Sequence, residues 1–305
     1  TLLFLGTFLG LLVGALPGLS SPMAIIILLP VTYSLNPLPA LLVMIGVYVG
    51  TKLGGSFAAI LLRTPGTPAS ACTALDGFPM AEKGEAGLAL GYATYGSFVG
   101  GLSSWIIAVT FIPVISAIAL KSSNADIALI GIMGLVMVSA FTRGSMLKGF
   151  IGVCVGLLIG CMGMDRVDTI ERFTFGSLDL LTGVPFAAAL VGLFGFAVVI
   201  SDLSLMKSKA ELVATKFRIK LPTFKQFFSR WKAWGIGSFM GAIVGAVPGV
   251  GADGATWLAY GTVKNNSKNP EEFGLGNPDG VIAPETANNG TTGGAMVPML
   301  TLGIP

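Results

Sequence analysis

One short phrase occurs twice in this chain, and each time it cuts an apolar run. Gly14-Ala15-Leu16-Pro17-Gly18-Leu19 returns 231 positions later as Gly245-Ala246-Val247-Pro248-Gly249-Val250. Proline has no N–H to donate and glycine has no Cβ to hold it in a helix, so a helix entering either phrase stops there. A second phrase also returns. Gly50-Thr51, with Pro65 downstream, reappears as Gly290-Thr291 and Pro305, a shift of 240. The same order at nearly the same shift predicts two related units, the second with about nine extra loop residues. Repeated units with interrupted apolar helices are how many transporters build a substrate site at mid-membrane.

The solvent these units face follows from composition. The chain is 53% hydrophobic and 11% charged, against about 25% charged in soluble domains. The apolar residues come in continuous runs rather than in alternation, which predicts helices and not a barrel. The fold class expected is an all-α polytopic membrane protein, multi-pass, with the lipid bilayer as its surroundings. The net charge of +3 is small and spread out, so no nucleic acid is implied as a partner. Thr1–Val13 has neither a basic start nor a small-residue cleavage site, so no cleavable signal is read there. The chain opens without Met and stops at Pro305 after an apolar run, which reads as part of a longer protein. With no histidine and three cysteines, neither histidine catalysis nor a disulfide framework is expected. Cys72, Cys154 and Cys161 read as buried free thiols.

Along the chain, residues 1–85 form the first repeat core with broken helices. Leu38–Val49 and Gly55–Leu62 read as two short pieces joined by a glycine hinge, and Thr64–Glu85 as a polar cytoplasmic segment. Residues 86–206 supply connecting transmembrane helices, with a mixed-charge loop at Asp165–Asp179. Residues 207–232 form a basic loop with eight Lys/Arg against one acid, cytoplasmic by the positive-inside rule, and closed by Trp231 and Trp234 as interfacial anchors. Residues 233–305 form the second repeat core, read as C-terminally incomplete. Whether the repeats are inverted depends on an odd or even number of crossings, which such short segments leave open.

The chemistry concentrates at the breaks. A helix that restarts at mid-membrane presents free N–H groups and the positive end of its dipole, which suit an anion. Pro17, Gly18, Ser20 and Ser21 on one side and Pro248 and Gly249 on the other are therefore candidate substrate-binding residues, as are Lys52, Thr64 and Gly66. Arg63 borders the same stretch. The run Ala283–Gly294 is the densest polar segment in an apolar setting. Asn288, Asn289 and Thr291 are candidates for substrate, and Asp253, Asn288 and Thr292 for a sodium ion. Glu285 would neutralise a cation, and Asp76 reads as structural. No cofactor is expected beyond such a coupling ion. No phosphate loop, nucleophile elbow or Cys-x-x-Cys pair is present, so no enzyme is expected.

At these residues the chain resembles the large membrane subunit of tripartite tricarboxylate transporters, the TctA family. The matching stretches are Gly14–Gly18, Tyr48–Pro65, Thr73–Ala81, Arg172–Gly176, Val247–Gly251 and Ala283–Pro305. The resemblance implies a secondary transporter that works with a small four-helix membrane subunit and a periplasmic solute-binding protein. It would import citrate or other carboxylates by symport with sodium or protons. Lys52, Arg63 and Asp253 stand where the resemblance implies uncharged residues, and Ser20 where it implies glycine. An elevator-like motion of one part against a fixed scaffold fits the re-entrant elements. The alternatives are an uncoupled channel or permease for small organic anions, and a membrane scaffold subunit.

Overall fold

The computed structural model describes residues 1–16, 19–119, 121, 123–141, 145–165, 169–185, 188–189, 192–193, 200, 220–247 and 250–302. Its helices are α1 (Leu2–Gly14), α2 (Ser21–Thr32), α3 (Pro37–Leu62), α4 (Ala71–Met80), α5 (Ala86–Ala119), α6 (Asn124–Phe141), α7 (Met146–Gly160), α8 (Phe224–Ser229), α9 (Trp231–Gly245), α10 (Gly251–Asn265) and α11 (Asp279–Leu302). The mixed-charge loop holds a two-residue antiparallel ladder, with Gly163 opposite Arg172 and Met164 opposite Glu171. Among the described residues, α3 and the stretch containing α5 are long and apolar enough to cross a membrane. At 1.5 Å per residue, α1 is only about 20 Å long, short of the roughly 30 Å hydrocarbon core.

Glycine decides how the short helices pack. A Cβ on Gly6, Gly10 or Gly14 of α1 would strike the α3 backbone at Val43, Val47 and Thr51 respectively. Rising numbers on α1 meet rising numbers on α3, so the two helices run parallel at near backbone contact, as small residues allow in membranes. Ser21, at the start of α2, is hydrogen-bonded through its hydroxyl to Thr51 Oγ1 at 2.7 Å. Only residues 33–36 separate α2 from α3. Thus α1 runs to the middle of α3 and α2 runs back, a helical hairpin whose inner ends lie at the level of Thr51.

The last three helices repeat this contact pattern. A Cβ on Gly237, Gly241 or Gly245 of α9 would strike Ala283, Ala287 and Thr291 of α11. The three glycines are displaced by 231 from those of α1, and their three partners by 240 from those on α3. Thirteen residues (266–278) join α10 to α11 where four join α2 to α3. The nine-residue difference in sequence shift therefore falls in this loop.

The two groups run in opposite directions. Lys52 of α3 bonds to Asn288, Thr291 and Thr292 of α11, while Ser56, one turn further on, bonds to Glu285. Rising numbers on α3 meet falling numbers on α11, so these helices are antiparallel. The α5 helix lies parallel to α11: Gly96 packs on Glu285, Gly100 on Thr286 and Ser104 on Gly293. Every residue from 280 to 294 is buried, making α11 the central helix. The core around it draws Ile60, Met80, Tyr92, Trp234 and Tyr260 from five other helices, packed with its own Ile282.

Several expectations need correction. The stretch 38–62 is one helix, because Gly50 and Gly54 face α1 across a close contact and do not form a hinge. Residues 64–85 are not a solvated loop, since Ser70, Thr73 and Asp76 are fully buried. Asp76 tolerates this by accepting four hydrogen bonds, from the backbone N–H groups of Gly274, Gly276 and Asn277 and from Tyr260. Gly274 and Gly276 have φ of 89° and 99°, the left-handed turn that aims those N–H groups at one oxygen. Trp234 is not an interfacial anchor; it stacks on Phe227 at 4.9 Å and donates to its carbonyl, whereas Trp231 is exposed. The cysteines are free, but only Cys72 is buried and Cys161 is exposed. Residues 207–219 of the basic loop, and Pro17, Gly18, Pro248 and Gly249 at the breaks, lie outside the described residues.

Candidate functional site

The inner ends of the two hairpins open on one cavity of about 370 Å³. The first hairpin contributes Ser20, Ser21 and Pro22, the second Val250 to Asp253. Tyr48 and Lys52 of α3, Asn288 of α11 and the turn Thr67–Ala69 complete the wall. Both α2 and α10 begin here, so two helix N-termini face the same space, and the Ser20 hydroxyl makes no capping bond within its own helix. Two positive dipole ends and a lysine favour an anion.

Lys52 is 2% exposed at the middle of α3. Its Nζ donates to the carbonyl oxygen of Asn288 at 2.7 Å, to Thr291 Oγ1 at 2.7 Å and to Thr292 Oγ1 at 3.1 Å. The ammonium also lies 4.2 Å from the centre of the Tyr48 ring. An ammonium has three hydrogens, and all three find acceptors here. This arrangement offsets a desolvation cost that an unpaired buried charge would pay in full.

Glu285 lies one turn before Asn289 and is fully buried. Its Oε1 accepts from Ser56 at 2.6 Å and from Thr73. Its Oε2 has no protein partner, nor do both amide atoms of Asn288 or Oδ1 of Asn289. Among the described residues these are the buried side-chain atoms that lack one, and all sit on two turns of α11. Leaving a buried polar atom unsatisfied costs about 1–3 kcal/mol, so four on one helix mark a working surface rather than a packing solution. Asn288 is the one among them that lines the cavity.

The structure thus brings Ser20, Ser21, Lys52, Asp253 and Asn288 together, with Thr291 and Thr292 behind Lys52. It does not bring the other three candidates to the cavity wall. Thr64 donates to the Leu62 carbonyl, Gly66 packs against Gly14 and Gly55, and Asn289 turns toward α5 and donates to Ser97 Oγ at 2.8 Å. Arg63 caps α3 and lies over the Phe78 ring, away from Lys52. No cluster of three His, Cys, Asp or Glu exists among the described residues. Sequence reading passed over Tyr48, Ser56 and Thr73. Tyr48 and Ser56 flank Lys52 at one-turn spacing, so a polar stripe on an apolar helix was there to find.

Residues 1–305 match the family described as Tripartite tricarboxylate transporter TctA family. The chain belongs to the TctA family. A protein of Agrobacterium vitis, described as an uncharacterized 52.8 kDa protein in the TAR-I ttuC' 3' region, is 40% identical over 303 residues. That match covers 99% of this chain and 60% of the relative, so the chain spans about 60% of that relative's length. A second protein of the same organism, from the TAR-II ttuC' 3' region, is 48% identical over 65 residues, 21% of this chain and 27% of its own. No solved structure matches the chain.

Proposed function

We propose that this chain is the substrate-handling part of the large membrane subunit of a binding-protein-dependent secondary transporter for carboxylates. The observation that carries the proposal is the single cavity shared by both hairpin ends, Lys52 and Asn288. Its size falls in the range of small-molecule sites, about 300–1,000 Å³. Two helix N-termini and a lysine offer positive charge to a carboxylate, and the unpartnered Asn288 amide offers a donor that reads geometry. Membership of the TctA family supports tricarboxylates or related organic anions as the substrate class.

In this reading the two three-helix groups are inverted copies of one unit. Support comes from the matching glycine contacts, the 231 and 240 shifts and the antiparallel course of α3 and α11. Hairpins entering from opposite faces give each side of the membrane a gate to the same cavity. Transport then follows as one unit moves against a scaffold and exposes the cavity to each side in turn. A small membrane subunit and a periplasmic binding protein deliver the substrate, and a sodium or proton gradient drives it, across the inner membrane.

The test is uptake into proteoliposomes containing the full-length subunit with its small subunit and binding protein. A panel of di- and tricarboxylates is offered with and without an imposed ion gradient. Accumulation above equilibrium that Asn288→Leu abolishes supports the reading. Equilibration without accumulation under every gradient identifies a channel and rejects coupled transport.

A further inference from the structure

The contacts of Lys52 carry more than substrate attraction. On α11 the Thr291 hydroxyl donates to the Asn288 carbonyl at 2.7 Å. On α3 the Thr51 hydroxyl donates to the Tyr48 carbonyl at 3.0 Å. The residues of the two pairs are 240 positions apart, so each group presents a carbonyl and a hydroxyl at mid-helix. The pair on α11, with the Thr292 hydroxyl, forms a half-cage of three neutral oxygens. Neutral carbonyl and hydroxyl oxygens converging on one point are the donor set that a hard cation selects.

A cation already sits in this half-cage. It is the Lys52 ammonium, delivered from the antiparallel helix to within 2.7–3.1 Å of all three oxygens. The Tyr48 ring covers its side, 4.2 Å from the ammonium. We propose that Lys52 is a tethered cation, its ammonium filling the oxygen cage on α11 that a free sodium ion would otherwise occupy, so that this position carries no sodium. A sodium ion cannot enter beside it, because the oxygens are taken and the charges repel. Removal of the ammonium exposes a site of sodium-like chemistry. The proposal names an ion requirement for the cavity proposed above and so rests on that reading for its role in coupling. Ion binding itself is read on purified protein, so a subunit that transported nothing would still give the result.

The experiment compares thermal unfolding of the detergent-purified full-length protein in sodium chloride and in choline chloride at equal ionic strength. The wild-type difference between the two salts is the baseline, and it is expected to be unchanged by Thr292→Val. Lys52→Ser is expected to unfold earlier in choline chloride and to recover by about 2 °C or more beyond that baseline in sodium chloride. Adding Thr292→Val is expected to abolish that recovery. A Lys52→Ser protein with only the baseline difference between the two salts overturns the proposal. A second comparison needs no Lys52 variant and serves if Lys52→Ser does not fold. Wild type and Thr292→Val, nearly equal in shape, are expected to respond to sodium alike. A sodium-dependent rise in the wild type that Thr292→Val removes shows that sodium uses the cage with Lys52 present, and overturns it.

Discussion

Lys52 Nζ lies 2.7 Å from the carbonyl oxygen of Asn288, joining residues 236 positions apart at the middle of two antiparallel helices. This contact ties the centre of the first hairpin group to the centre of the second. It also places the one buried lysine of the described core beside a buried amide that no protein group satisfies.

The two asparagines of α11 are adjacent, yet they face different neighbours. Asn288 lines the cavity, while Asn289 donates to Ser97 on α5. Asn288→Ala is therefore expected to weaken substrate uptake at least tenfold, as loss of about 1.4 kcal/mol would, with little change in unfolding temperature. Asn289→Ala is expected to lower the unfolding temperature and leave apparent affinity near wild type. Parallel uptake and thermal-unfolding measurements on both variants check the division of roles.

Helix contact through glycine gives a sharp contrast within α9. A Cβ at Gly241 meets the backbone of Ala287 and Gly290, whereas a Cβ at Gly235 meets nothing within 4 Å. Gly241→Ala is expected to cost about 1–3 kcal/mol through overpacking. Gly235→Ala is expected to be neutral or mildly stabilising. Gly10→Ala on α1 should behave like Gly241→Ala, because Val47 lies against it in the same way. Midpoints from thermal or denaturant unfolding of the three variants decide this.

Asp76 clasps the loop before α11 through three backbone N–H groups and the Tyr260 hydroxyl. Hydrogen bonds to a charged group contribute about 1.5–3 kcal/mol each. Asp76→Ala is expected to release residues 266–278 and to speed tryptic cleavage at Lys264 or Lys268 by at least an order of magnitude. Tyr260→Phe removes one bond of the four and is expected to have a much smaller effect. Timed proteolysis with identification of the cut site reads both.

Glu285 holds two hydroxyls from two other helices, Ser56 on α3 and Thr73 on α4. Glu285→Gln keeps an acceptor oxygen and is expected to fold. Glu285→Leu strands both hydroxyls in the core, at about 1–3 kcal/mol for each. Unfolding midpoints that place Gln close to the wild type and Leu well below it support the assignment.

Much of this arrangement was written in the residue spacing. The shift of 231 seen in the Gly-Ala-x-Pro-Gly phrase reappears in the contacts of Gly6, Gly10 and Gly14 against those of Gly237, Gly241 and Gly245. Helix direction was not legible, because parallel packing of α1 on α3 depends on the chain doubling back between them. Gly50 and Gly54 read as a hinge since sequence alone does not distinguish a glycine that bends a helix from one that admits a neighbour. Residues 64–85 read as a water-facing segment because their polar groups find partners 180 or more positions away, as Asp76 does in Tyr260 and Asn277. The Lys52 candidate was legible from its isolation in an apolar helix. Its three acceptors were not, because they belong to the opposite group.

The claim that both hairpin ends form one binding site is tested most directly by thiol labelling. Ser20→Cys and Ala252→Cys are introduced singly into full-length protein whose Cys72, Cys154 and Cys161 have been replaced, and labelling is followed with and without saturating carboxylate. The account predicts that substrate slows labelling at both positions and leaves a Gly235→Cys control unchanged. Protection at one hairpin end alone, or at neither, would contradict it.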